Sequence, residues 1–210
     1  MSAASWTAAK EAFAEAAQWF VRITAQAPGR WDEIALGEWT VRDLVGHTSR
    51  ALLTVESYLG RRAVAVEIAS PVEYFRAFHT ASGGPAADPA AVAERGRAAG
   101  RALGSEAAAE VDRIAQRVLA RVDGAAANDL VDTPVGGMRL VDYLPTRTVE
   151  LTVHTCDLVA ALGEEMDVPD SAAMESLTVL GELAVRGRRA APLLLATTGR
   201  GGLPADFTVL

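Results

Sequence analysis

RLVDYLPTRTVELTVHTCDLVAAL, residues 139–162, carries the longest helical pattern of the chain's second half and sets its fold class. Its apolar residues recur at helical spacing, and Gly163 follows as a stop. Leu151, Val153, Leu158 and Ala161 flank its few charged side chains, so it reads as a mostly buried helix that packs among other elements. Pro145 either kinks this helix or starts its main part.

The neighbouring segments supply the partners. In residues 5–27 Trp6, Phe13 and Phe20 recur every seven positions, Trp19 and Ile23 widen the stripe, and Pro28-Gly29 ends the helix. A loop with Trp31 and Trp39 follows. Thr40 then caps a second helix running to about Leu59, with Asp43 at N3 and with Trp39 and Leu44 placed as a staple. Residues 60–89 read as a crossover: Ser70-Pro71 and Ser82-Gly83-Gly84-Pro85 mark loops around a short apolar piece at 72–78. Asp88-Pro89 is a cap with an N1 proline, opening an Ala-rich helical pattern to about Val122. Gly96, Gly100 and Gly104 fall four apart in it, so either a neighbouring helix approaches that face or the helix breaks. Residues 131–138 are punctuated by Pro134 and Gly136-Gly137, a last helix spans about 171–188, and the tail from 192 to 210 has room for one short strand.

Four principal helices with a long crossover fit an all-α four-helix bundle with extra short helices outside it. The expected organisation is one bundle over 1–190 and a tail, 191–210, packed on it. Half of the 210 residues are apolar and only 6% aromatic, which suits packed helices. A net charge of −7 and a pI near 5.0 argue against a nucleic-acid partner, and Arg186, Arg188 and Arg189 read as cations at a helix end. The single Cys156 forms no internal disulfide, residues 1–20 have amphipathic rather than signal-peptide character, and no apolar run reaches the ~20 residues of a membrane span. A cytoplasmic protein is expected. Dimerisation through helix faces suits such a bundle, and no motif fixes it.

Bundles place cofactors between facing helices. Glu150 and His154, four apart, share one helix face among apolar neighbours, where a carboxylate is costly unless paired or bound to a cation. His47 lies one turn from Leu44 and Ala51 and faces inward too. Two histidines and a glutamate make a zinc-type ligand set with an open position, also suited to nickel, iron or manganese. Asp157 is placed to orient a ligand through the free ring nitrogen of His154. Each residue also has a plainer reading. An interior histidine can be hydrogen-bonded core, and a Glu/His pair at this spacing can be an ion pair. Arg50 and Arg147, one turn from His47 and Glu150, are candidates to hold an anionic substrate or to form salt bridges. His79, beside Phe75 and Phe78, is a pocket or surface residue, and Cys156 a packing thiol rather than a nucleophile.

Gly37-Glu38-Trp39-Thr40-Val41-Arg42-Asp43-Leu44-Val45-Gly46-His47 together with Arg147-x2-Glu150-x3-His154-x2-Asp157-Leu158 resembles the mycothiol-dependent maleylpyruvate isomerase family, whose first domain is a DinB-like metal-binding bundle. The ending, Leu195 to Arg200 with Leu203-Pro204 and Phe207 to Leu210, is also similar. The resemblance implies zinc at His47, Glu150 and His154, and mycothiol or a related thiol as cosubstrate, activated by the ion to attack an electrophile. Trp39, Arg50 and Arg147 would line the thiol pocket, with Arg50, His79 and Arg147 as catalytic candidates. The isomerase itself carries a second domain with a catalytic arginine, whereas only about fifty residues follow His154 here, so a thiol transferase is expected over that isomerase. Two other readings use the same residues: metal-assisted hydrolysis with activated water, with His79 or a carboxylate handling the proton, and a non-catalytic bundle that the metal holds or that senses a ligand.

Overall fold

A computed structural model of the chain describes residues 3–80 and 89–210. It is an all-α bundle, as the sequence predicts. Helix α1, Ala3–Thr24, turns Phe13, Ala16, Ala17 and Phe20 fully inward. A two-stranded pair, β1 Ile34–Leu36 and β2 Trp39–Thr40, leads into α2, Val41–Leu59. The capping box expected there is formed. Thr40 Oγ1 accepts from the Asp43 N–H at 3.2 Å, and the Thr40 N–H donates to the Asp43 carboxylate at 3.1 Å. The Val41 and Arg42 N–H groups find the carbonyls of Glu33 and Trp31, so the start of α2 carries no unpaired donor there.

The crossover contains α3, Pro71–Thr80, which lies on two later helices, α6 Leu140–Leu162 and α7 Asp170–Arg186. The loop expected at Ser82-Gly83-Gly84-Pro85 and the Asp88 cap lie outside the described residues. The single Ala-rich helix expected from 89 to 122 is two helices, α4 Pro89–Ala102 and α5 Ala107–Asp123. The break falls at Gly104, whose φ of +71° is left-handed, a conformation that only glycine adopts freely. The Gly104 carbonyl accepts from Arg42 Nη1 at 2.9 Å, which fixes the turn to the start of α2.

Gly100 makes the close helix approach, facing Gly46 and Arg42 of α2, while Gly96 lies against the Trp39 ring. A Cβ on Gly46 would stand 2.1 Å from the Gly100 nitrogen, and one on Gly100 would stand 2.7 Å from the Arg42 carbonyl oxygen. Helix α4 therefore presses its backbone onto α2 beside His47.

Residues 130–139 form a hairpin that periodicity did not reveal, β3 Leu130–Thr133 against β4 Gly136–Arg139. Its strands are four residues each, too short for alternation to show. Gly137 exchanges hydrogen bonds with Glu67 of the crossover, and a Cβ there would meet the Ala65 carbonyl at 2.1 Å.

The hairpin feeds α6, Leu140–Leu162, which ends on Gly163 at φ +65°. The helix runs through Pro145. It packs against α1, α2 and α7, Asp170–Arg186, and its Leu140, Leu144, Leu151 and Leu158 are wholly buried, each contributing roughly 1.5–3 kcal/mol. Val153 is an exception to the expected burial and reaches solvent. The tail carries a helix, α8 Ala190–Thr197, and no strand; Val209 packs back on the core. No helix among the described residues is long and apolar enough to cross a membrane.

Candidate metal centre

His47 on α2 and Glu150 and His154 on α6 converge from opposite walls of one cavity. Their ligand-type atoms all lie within 4.8 Å of one another. The positioning is local at each end. The capping box sets the start of α2, and the absence of side chains at Gly46 and Gly100 lets α4 close in behind His47. On α6 the four-residue spacing stacks Glu150 and His154, with 3.5 Å between Glu150 Oε2 and His154 Nε2. The imidazole rings of His47 and His154 meet edge to face at 4.7 Å between centroids.

The environment tunes each group. Burial, with the charge of His154, lowers His47 to about 4, so its ring is neutral and keeps a lone pair at pH 7. Burial works against ionised Glu150, but the hydrogen bond from His154 and the charge of Arg147 hold it down at about 2. Burial also works against charged His154, and the carboxylates of Asp157 and Glu150 overcome it and raise the ring to about 9. Asp157 Oδ2 lies 3.1 Å from His154 Nδ1, where it fixes the ring and leaves Nε2 facing Glu150.

The residues present fit a divalent ion. His47 Nδ1 is buried with no hydrogen-bond partner, a loss that a buried polar atom sustains only at a cost. Two imidazoles and a carboxylate are also the donor set of zinc sites that keep an open position. The metal-free arrangement instead pairs charged His154 with Glu150 and Asp157.

The cavity beside the triad has a volume of about 230 Å³. Arg50, His79 and Arg147 line it, as do Arg95, Tyr74, Phe75, Phe78 and Leu210. Trp39 is placed differently from its expected position in the pocket. Its ring packs behind His47 at 4.6 Å and against Gly96, and it lines a separate shallow depression with Leu36 and Ala93. His79 is exposed at the cavity mouth. Arg147 is 9% exposed, with its guanidinium 5.3 and 5.2 Å from the ring centres of Tyr74 and Tyr143. Cys156 is half-buried, and burial with the Asp157 charge pushes its thiol up, which suits packing rather than attack.

Sequence reasoning missed Tyr74, Arg95 and Leu210. The spacing of Tyr74, Phe75 and Phe78 on one short helix was the available signal for the first. Leu210 gave none, because the return of a coil tail to the cavity leaves no periodic trace.

A family model described as the mycothiol maleylpyruvate isomerase N-terminal domain matches residues 31–159. The chain belongs to this family. The match runs from Trp31 through the α2 capping box to Val159 and so contains all three residues of the triad, while the similar-looking tail lies beyond it. Within the mycothiol maleylpyruvate isomerase N-terminal domain family, the helical architecture is that of a DinB-like bundle. No curated protein and no solved structure matches the chain.

Proposed function

We propose that this chain is a metal-dependent thiol transferase or isomerase, in which His47, Glu150 and His154 hold a divalent ion, zinc or a similar metal such as nickel, beside a pocket for a mycothiol-type thiol and its electrophilic partner. The observation that carries the reading is the convergence of three ligand-type side chains, one with an orphaned buried nitrogen, on the wall of a ligand-sized cavity. Membership of the family supports the thiol part.

An ion held there supplies a positive charge that draws down the pKa of a bound thiol, so that the thiolate predominates near neutrality. The chain's own residues do the rest. His47 arrives neutral and Glu150 ionised, so neither must shed a proton on loading. His154 gives up its Nε2 proton while Asp157 keeps the ring oriented through Nδ1. Tyr74, Phe75 and Phe78 form the apolar wall that limits water, Arg50 and Arg147 orient the substrate, and His79 at the mouth exchanges protons with solvent.

The test joins metal analysis to turnover. Protein purified without chelators or a polyhistidine tag is expected to carry one divalent ion per chain, and the His47→Ala, Glu150→Ala and His154→Ala variants to lose it. The zinc-loaded protein should conjugate bromobimane or chlorodinitrobenzene only when a low-molecular-weight thiol is added. Wild-type protein that stays metal-free in zinc-replete medium sinks the proposal, and turnover without any thiol replaces it with hydrolysis.

A further inference from the structure

Helix α7 carries two opposite faces. Ala172, Ser176, Val179 and Leu183, spaced four, three and four apart, are buried where it packs on α1 and α6. Met174, Leu177, Gly181 and Val185 recur at three, four and four, which sets them half a turn away on the outside. The three side chains of that outer face are 69, 67 and 64% exposed. An apolar seam of this spacing is what one helix presents to another.

Gly181 sits in the middle of the seam, and nothing among the described residues requires a glycine there. A Cβ on it would meet no atom within 4 Å, and glycine is disfavoured in a helix interior. The missing side chain leaves a hole that a side chain from a second helix can fill.

The ends of the seam carry opposite charges. Asp170 stands four residues before Met174 and Arg188 three after Val185; both are exposed, and neither makes an ion pair among the described residues. When α7 faces a reversed copy of itself, with Met174 opposite Val185 and Leu177 opposite Gly181, Asp170 of each copy falls beside Arg188 of the other. The same reversal carries α8, with exposed Leu194 and Leu195, toward half-exposed Met166 just ahead of the other α7. The open apolar surface of these residues is on the order of 600 Å², at the upper end for a lone monomer and near the ~800 Å² per partner of a stable interface.

We infer that the outer face of α7 is the interface of a twofold-symmetric dimer. Its occupant is a second copy of this chain lying antiparallel, with Leu177 seated over Gly181 and Asp170 paired to Arg188 at both ends. No residue of α7 lines the cavity, so the inference stands or falls independently of the proposed reaction.

Sedimentation equilibrium of the wild-type chain reads the mass, which should be twice 22.0 kDa. Leu177→Glu, at an exposed position, should weaken the dimer about a hundredfold or more with an unchanged circular dichroism spectrum. Gly181→Gln puts a better helix former into open space, so it should keep the fold and still separate the copies; it decides if Leu177→Glu does not fold. Asp170→Arg should weaken pairing about tenfold, and Asp170→Arg combined with Arg188→Asp should restore it to within about threefold. A monomer at all concentrations up to about 200 µM, a mass above two chains, a dimer indifferent to both seam variants, or a charge exchange that restores nothing each overturns the inference.

Discussion

At the residue scale the proposed metal site would act as a proton-coupled switch, with the proton and the ion competing for Nε2 of His154. Without metal, His154 stays protonated up to about pH 9, held by Asp157 and Glu150, while His47 is neutral above about 4. Metal binding at pH 7 should therefore release one proton per ion, all of it from His154. Apparent affinity should rise about tenfold per pH unit below about 9 and level off above it. Calorimetry in buffers of different ionisation enthalpy measures the proton count, and a count of zero would contradict the assignment. The same shifts set the pH response of the metal-free fold. The raised His154 stabilises fully below its ordinary 6.5 and loses that contribution as pH rises through about 9; the depressed Glu150 contributes above its ordinary 4.5 and loses it as pH falls through about 2. His47, depressed by burial, costs stability as pH falls from 6.5 toward 4. Removing the orienting carboxylate with Asp157→Asn should weaken metal affinity about 10–100-fold with the fold intact, read by competition with a chromophoric chelator.

At the element scale, the contact between α2 and α4 decides where His47 sits. A methyl group at Gly46 or Gly100 meets backbone, which cannot rotate away, so Gly46→Ala and Gly100→Ala should each cost roughly 1–3 kcal/mol or more and lower metal affinity as α2 shifts. Chemical denaturation with parallel metal titration checks both halves. Much of this scale was legible beforehand. Thr40 and Asp43 announce the cap, Gly163 the end of α6, and the four-residue spacing of Glu150 and His154 their shared face, because each is a local pattern. The three glycines at 96, 100 and 104 announced two alternatives, and both are realised: close helix approach at Gly100 and a break at Gly104, with Gly96 set against the Trp39 ring. What stayed hidden depends on partners distant in sequence. The 130–139 hairpin is stabilised by Glu67 of the crossover, and the tail, read as coil with room for one short strand, carries the helix α8, because its short apolar run fits either form.

At the scale of the whole molecule, the proposed ligands tie α2 to α6, the two helices that face each other across the cavity. Zinc at about a thousandfold over its Kd should add about 4 kcal/mol to the stability of the fold, or very roughly 10 °C in Tm for a domain of this size. Differential scanning fluorimetry with zinc and with chelator reads this, and His154→Ala should abolish the shift. Sequence reading reached the three residues as a set through their resemblance to a family pattern. Spacing alone left His47 unconnected, since no periodicity links a residue on one helix to a pair about a hundred residues later.

That separation has a kinetic side. Closing a loop of about a hundred residues is entropically costly, so the full site forms only once α2 and α6 have docked. An ion that recognises only the docked pair slows departure from the native state without hastening arrival. In stopped-flow experiments zinc should leave the refolding limb of the chevron where it is and shift the unfolding limb to slower rates. The metal would then act as a latch on a finished bundle rather than as its seed.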